Sequence, residues 1–252
     1  MNLFLEAFQW IFTPVWTIVK TERTNDIVLR LGEHLGYTFA SLIAATIIAV
    51  PIGYAIGHTG KGREIAVALS GAARALPSLG LLTILALTFG IARAPIAAVV
   101  VFLVLGVPSI LAGAYAGLEA IDRRTIDAAR AVGMTEWQIL LRVEIPLGLP
   151  LLLGGVRNAA LQIVATTTLA AYIGLGGLGV YIFEGLPIRN FTEMLGGAIL
   201  IALLAVVLDG VFALLQNFAI PRGVTAGRVR IVRTSSSRTR AVAGTSAVPG
   251  RG

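Results

Sequence analysis

An all-α, polytopic membrane protein of five spans, or six if its first residues also cross, is the architecture this chain predicts. Two observations lead there. Apolar residues make up 56% of the 252 even without glycine, against roughly 45–50% with glycine in an ordinary soluble domain. Charged residues are 13%, about half the usual share, so a soluble fold of this size would lack its polar skin. In addition, residues 35–57, 75–92 and 94–118 carry no charge, and a spanning helix needs about 20 predominantly apolar residues.

Taken in chain order, residues 1–19 hold Phe4, Phe8, Trp10, Phe12 and Trp16, anchors of the kind found at membrane interfaces. Glu6, Gln9 and Pro14 interrupt the run. It suits a helix lying in the outer interface better than a short sixth span. It lacks the basic start and small-residue cleavage site of a signal peptide. Spans are predicted near 36–57, 66–91, 95–117, 148–171 and 194–218. A polar island over 119–146 separates the third from the fourth. The tail from Arg222 is rich in Arg, Ser, Thr and Gly with no acidic residue, which predicts disorder. It suits a topology anchor better than a contact for anionic lipid. The chain therefore divides into an extracytoplasmic or interfacial segment (1–34), a transmembrane domain (35–219) and a basic cytoplasmic tail (220–252).

Basic residues orient the spans. With the polar island inside, the cytoplasmic segments carry thirteen Lys and Arg and the outer segments five, while Arg74 and Arg157 fall within spans. Seven of the thirteen belong to the tail, so without it the bias is slight. The net charge of +7 is explained by this topology, and no nucleic-acid partner is expected. There is no cysteine, hence no disulfide framework or thiolate metal site.

The polar island has its own local structure. Thr125 is read as the N-cap of a short helix ending at Ala131. Ala128, Ala129 and Ala131 let that helix seat closely against a partner. Gly133 supplies the positive φ of a helix C-cap. Thr135 caps a second short helix carrying Trp137, Ile139, Leu140 and Leu141, and Pro146 breaks the pattern before the next span.

The spacing Asp127-Ala128-Ala129, Gly133, Val143, Ile145-Pro146 resembles the cytoplasmic loop E-A-A-x3-G-x9-I-x-L-P of binding-protein-dependent ABC-importer permeases, the MetI-like family. Asp for Glu, Val for Ile and Ile for Leu are the departures. The resemblance implies that Asp127, Ala128, Ala129, Arg130, Gly133 and Pro146 belong to a coupling loop that docks an ATP-binding subunit. Asp127, one methylene shorter than the family's glutamate, would weaken or rearrange that residue's contact. The resemblance extends over residues 30–219. Glu33-His34-Leu35-Gly36-Tyr37-Thr38, Pro51-Ile52-Gly53 and Leu76-Pro77-Ser78-Leu79-Gly80 look like the first two spans of osmoprotectant permeases, which serve glycine betaine, carnitine, choline or proline. Thr168 to Gly179 looks like their outer gate, although methionine-type permeases carry a similar glycine segment.

Arg74, Arg157 and Asp209 are predicted at similar depth inside spans, each about 15–18 Å from a span end at helical rise. A central charge costs about 2.5–3.5 kcal/mol even on a lenient scale. Asp209 is expected to pair with Arg157 or Arg74, the alternative being arginines that snorkel alone. Pro51, Pro77 and Pro108 fall within spans. Pro77 is the candidate hinge or cavity residue, because the Ser78 hydroxyl can compensate its lost donor. Thr166, Thr167 and Thr168 either line the path or bond between helices. The turn Gly174, Gly176, Gly177, Gly179 is a candidate part of the outer gate.

Two formal matches are rejected. Gly174-x-Gly176-x-x-Gly179 fits the dinucleotide fingerprint but follows a membrane span, and Gly60-Lys61 lacks the Ser/Thr and the first glycine of a P-loop. His34 and His58 are lone, so metal binding is not expected, and no catalytic set or cofactor site is read. The expected function is the permease of an ATP-driven importer in the bacterial cell membrane. Its expected partners are a dimer of ATP-binding subunits that hydrolyse the ATP, a second permease chain, identical or homologous, and an extracytoplasmic binding protein. An amino-acid importer of methionine type is the alternative substrate reading. An ion-coupled secondary transporter is the rival class, but it predicts repeated halves that are not visible here.

Overall fold

The computed structural model describes residues 2–17 and 27–219. The basic tail from residue 220, with Lys20 and Arg23, lies outside the described residues. Every regular element among them is helical. α1 (Leu3–Thr17) precedes α2 (Ile27–Thr59), α3 (Arg63–Ala75), α4 (Ser78–Phe89) and, after a 3-10 turn at Ile91–Arg93, α5 (Ala94–Glu119). The polar island forms α6 (Arg123–Ala131) and α7 (Glu136–Ile139), and a π-helical turn at Leu140–Glu144 leads into α8 (Ile145–Thr167). A 3-10 turn (Thr168–Ile173), α9 (Val180–Ile188) and α10 (Phe191–Ala219) follow. Among the described residues four helices are long and apolar enough to cross a membrane, or five if the bent pair α3–α4 counts as one span.

The core is a three-helix stack of α2, α5 and α8. Ala45 and Ala49 of α2, Val101, Phe102 and Ile110 of α5, and Ala159 and Ile163 of α8 are fully buried. Lipid tails give apolar helices no reason to prefer one another over solvent, so close van der Waals approach must hold them, and small residues permit it. A methyl group on Gly117 of α5 would lie 2.6 Å from the Gly148 carbonyl oxygen of α8, and one on Gly155 of α8 would lie 2.6 Å from the Ser109 carbonyl oxygen of α5. Gly53 of α2 is pressed in the same way against Ala114 of α5.

The predicted continuous span over 66–91 is instead two helices meeting at 85°. Leu76 is extended, with φ −69° and ψ 133°, the conformation that a following proline favours. Pro51, Pro108 and Pro150 nevertheless sit in helices that stay continuous. Packing makes the difference. Pro108 is itself buried and Pro51 lies two residues from the tight Gly53 contact, whereas α3 buries only Ala66 and α4 only Leu82. Nothing dense holds a straight helix through Pro77. Arg74, predicted in mid-span, consequently lies in the last turn of α3 beside the bend and donates from Nη2 to Ser109 Oγ at 3.4 Å.

α10 is fastened to α8 by Gln216 Nε2, which donates to the Pro150 carbonyl at 3.0 Å. Its other faces are largely exposed and apolar, as at Val206, Leu214 and Phe218. α1 packs on the first turns of α10. The Trp10 ring covers Gly196 and meets Tyr181 edge-on at 5.0 Å, and Glu6 Oε2 accepts from Thr192 Oγ1 at 3.4 Å. Phe4, Phe8 and Phe12 point outward. α2 has 33 residues, about 50 Å at helical rise, so it outreaches a hydrocarbon core of ~30 Å. Its ends, near Glu33 and near His58, stand further apart than that core is thick.

Candidate functional site

The candidate residues fall into three groups: the polar island, the glycine turn at the opposite end of the bundle, and the charges between them. In the polar island, α6 begins three residues earlier than Thr125 predicts. Asp122 is the N-cap, its Oδ1 accepting from Arg124 N at 2.9 Å; aspartate caps at least as well as threonine. The C-terminus is a Schellman closure. Gly133 has φ 85°, its N–H bonds the Arg130 carbonyl, and Met134 N–H reaches back to Ala129. Thr135 caps α7 in a reciprocal box with Gln138. Pro146 does not end the pattern. The π turn carries the chain into α8, and Pro146 falls in the first turn of α8, where a missing donor costs least.

This construction projects α6 from the bundle. Asp127, Ala128 and Arg130 are exposed and only Ala129 is buried. Val132, Trp137 and Leu141 add exposed apolar surface. Arg130 donates from Nε and Nη2 to both Glu136 carboxylate oxygens, at 2.8 and 3.1 Å, and lies 3.5 Å from Asp127. The Glu136 hydrogen bonds raise Arg130 above its already high ordinary value, so it is a permanent cation.

At the other end, Gly176 and Gly177 of the turn are buried with φ 84° and 82°. A side chain on Gly176 would run into the Glu33 carboxylate. Glu33 Oε2 accepts from Gly177 N at 2.8 Å and from Arg30 Nη1 at 3.1 Å. Gly179 abuts the Thr168 carbonyl, while Gly174 is exposed and caps the 3-10 turn. Beneath the turn His34 is fully buried and donates from Nε2 to the Val164 carbonyl at 3.0 Å. Thr166 and Thr167 bond back to Gln162 and Ile163 carbonyls of their own helix, and Thr167 also meets Thr38 Oγ1 at 3.4 Å. Thr167 therefore belongs to the α2–α8 contact.

Between these ends Arg157 of α8 donates two hydrogen bonds to Asp209 of α10, each 2.5 Å. Arg74 is not part of that pair. Pro77 and Ser78 sit at the α3–α4 bend. Sequence reasoning gave the lone His58 a hydrogen-bonding or interfacial role without naming its partner, which is Glu144, and assigned no role to Glu33, Glu136 or Glu144. Their partners lie on other elements, and no local periodicity announces them. No group of three or more His, Cys, Asp or Glu that could hold a metal exists among the described residues.

The family model described as "Binding-protein-dependent transport system inner membrane component" matches residues 41–223. The chain belongs to that family. This permease is 31% identical over 200 residues to the glycine betaine/carnitine/choline transport system permease protein OpuCB of Bacillus subtilis (strain 168), covering 79% of this chain and 91% of the relative. It is 34% identical to the osmoprotectant import permease protein OsmY of Salmonella typhimurium, over 79% of this chain and 86% of that one. The fold matches the MetNI methionine ABC transporter in inward-facing conformations, with TM-score 0.68 and 24% identity over 77% of this permease and 96% of that chain. At that identity the likeness establishes the fold alone. This permease is thus a multi-pass transport protein of the bacterial inner membrane rather than a catalytic enzyme.

Proposed function

We propose that this permease moves an osmoprotectant such as glycine betaine, choline, carnitine or a proline-like solute into the cell, using ATP hydrolysed by a separate pair of subunits. The single observation that carries the reading is α6, a capped helix of small and charged residues held out from an apolar bundle on the side that the positive-inside count puts in the cytoplasm. A lipid-embedded protein needs such an exposed handle if a soluble motor is to move it. The curated relatives named above support the substrate class.

In this reading Asp127, Ala128, Ala129, Arg130 and Gly133 meet the ATP-binding subunit, with Pro146 starting the helix that receives the movement. Residues 35–219 form the permease domain, 1–34 an outer or interfacial segment, and 220–252 a cytoplasmic tail. Pro77 and Ser78 mark the hinge and the glycine turn the outer gate, with Thr166 to Thr168 beside it. The pair Arg157–Asp209 ties α8 to α10. Five spans are too few to enclose a path, so a second permease chain completes it, and an extracytoplasmic protein delivers the solute.

The test is uptake of radiolabelled glycine betaine by proteoliposomes holding the permease, its ATP-binding subunits and the loaded binding protein. Uptake is expected with ATP and none with a hydrolysis-dead motor. Uptake driven by an ion gradient without ATP would sink the pump reading. Uptake of methionine but no quaternary ammonium would replace the substrate.

A further inference from the structure

The cytoplasmic end of α2 carries a side-chain network that the docking of α6 leaves unexplained. His58, in the last turn of α2, donates from Nδ1 to Glu144 Oε2 at 2.6 Å. Its Nε2 lies 3.7 Å from Glu136 Oε2. Glu136 is the carboxylate that Arg130 of α6 grips with two hydrogen bonds. One imidazole therefore stands between α7 on one side and the π turn on the other, and a single carboxylate connects it to α6.

Three features make this more than a surface cluster. Glu144 is nearly buried, its side chain 8% exposed, and a buried carboxylate is costly without a partner; His58 supplies it. The residue lies in the π turn at the foot of α8, and such turns concentrate at places where a helix changes register or function. Most important is the path. Along the chain, α6 and α2 are separated by all of α3, α4 and α5. Across space, Arg130, Glu136 and His58 link them directly.

We propose that His58 is a positioning residue that passes movement of α6 to α2 and, through Glu144, to the foot of α8. The chain Arg130–Glu136–His58–Glu144 is the mechanical connection between the docking helix and two of the three core spans. This rests on α6 being the helix that the motor moves.

The test uses the whole complex in proteoliposomes and reads the ratio of glycine betaine imported to ATP hydrolysed. His58→Ala is expected to lower that ratio about tenfold, within the range of ordinary coupling between sites, while the complex still assembles and hydrolyses ATP. Glu136→Gln removes the charge at an exposed position, where folding is not at stake, and is expected to act in the same direction. The exchanged pair H58E/E144H keeps a contact between the two positions but sets a second carboxylate against Glu136, so it is expected to leave the ratio low, and recovery of the ratio would overturn the relay through Glu136. A merely structural role would depress uptake and hydrolysis together and leave the ratio unmoved. An unchanged ratio in Glu136→Gln complexes, or in His58→Ala complexes that assemble, overturns the relay alone. A wild-type permease that never associates with ATP-binding subunits overturns the docking reading and the relay with it.

Discussion

At the level of single residues, Gly176 and the pair Arg157–Asp209 make sharp demands. Any side chain at Gly176 meets the Glu33 carboxylate, and its left-handed backbone costs other residues about 1–3 kcal/mol. Gly176→Ala is therefore expected to lower the melting temperature of the purified permease and to reduce uptake, with Glu33→Gln milder because a hydrogen bond survives without its charge. Arg157→Ala and Asp209→Ala are each expected to destabilise the chain by stranding one charge between spans. The exchanged pair R157D/D209R should melt closer to wild type than either. If the exchange is as damaging as the sum of the single changes, the pair is not what ties α8 to α10. The three charges were legible in the sequence because each stands out in an apolar run. Which arginine Asp209 would choose was not, since that depends on which helices become neighbours.

Among the elements, the α5–α8 contact and the α3–α4 break can be tested separately. Gly117→Ala places a methyl 2.6 Å from a backbone oxygen that has no freedom to move, and overpacking of this kind costs about 1–3 kcal/mol. Gly71→Ala, in mid-helix where nothing lies within 4 Å, should not lower the melting temperature and is expected to raise it slightly, since alanine is the better helix former. The bend has a direct measurement. Spin labels replacing the exposed Ile65 and Ile84 report across it, and Pro77→Ala is expected to lengthen their separation as Leu76 becomes free to turn helical. An unaltered separation would show that the surrounding packing, not the proline, sets the angle. The five apolar stretches, the Gly133 cap and the Thr135 cap could be read from sequence, since composition and local hydrogen bonding fix them. The break could not. Pro51, Pro108 and Pro150 look the same on the page, and only the sparse burial around α3 and α4 separates Pro77 from them. Asp122 displaced Thr125 as a cap because both residue types fit and the helix simply begins at the earlier one.

For the molecule as a whole, topology is the claim to test, and the absence of cysteine makes it easy. A single cysteine at Thr125 is expected to react with an impermeant maleimide only in inside-out vesicles, and one at Gly174 only from the outside. The opposite pattern would reverse the assignment of inner and outer ends. The long helix α2 bears on both ends at once. Its first turns hold the glycine loop through Glu33 and its last turn holds Glu144 through His58. A stiff rod anchored near each tip cannot tilt at one face of the bilayer without shifting at the other.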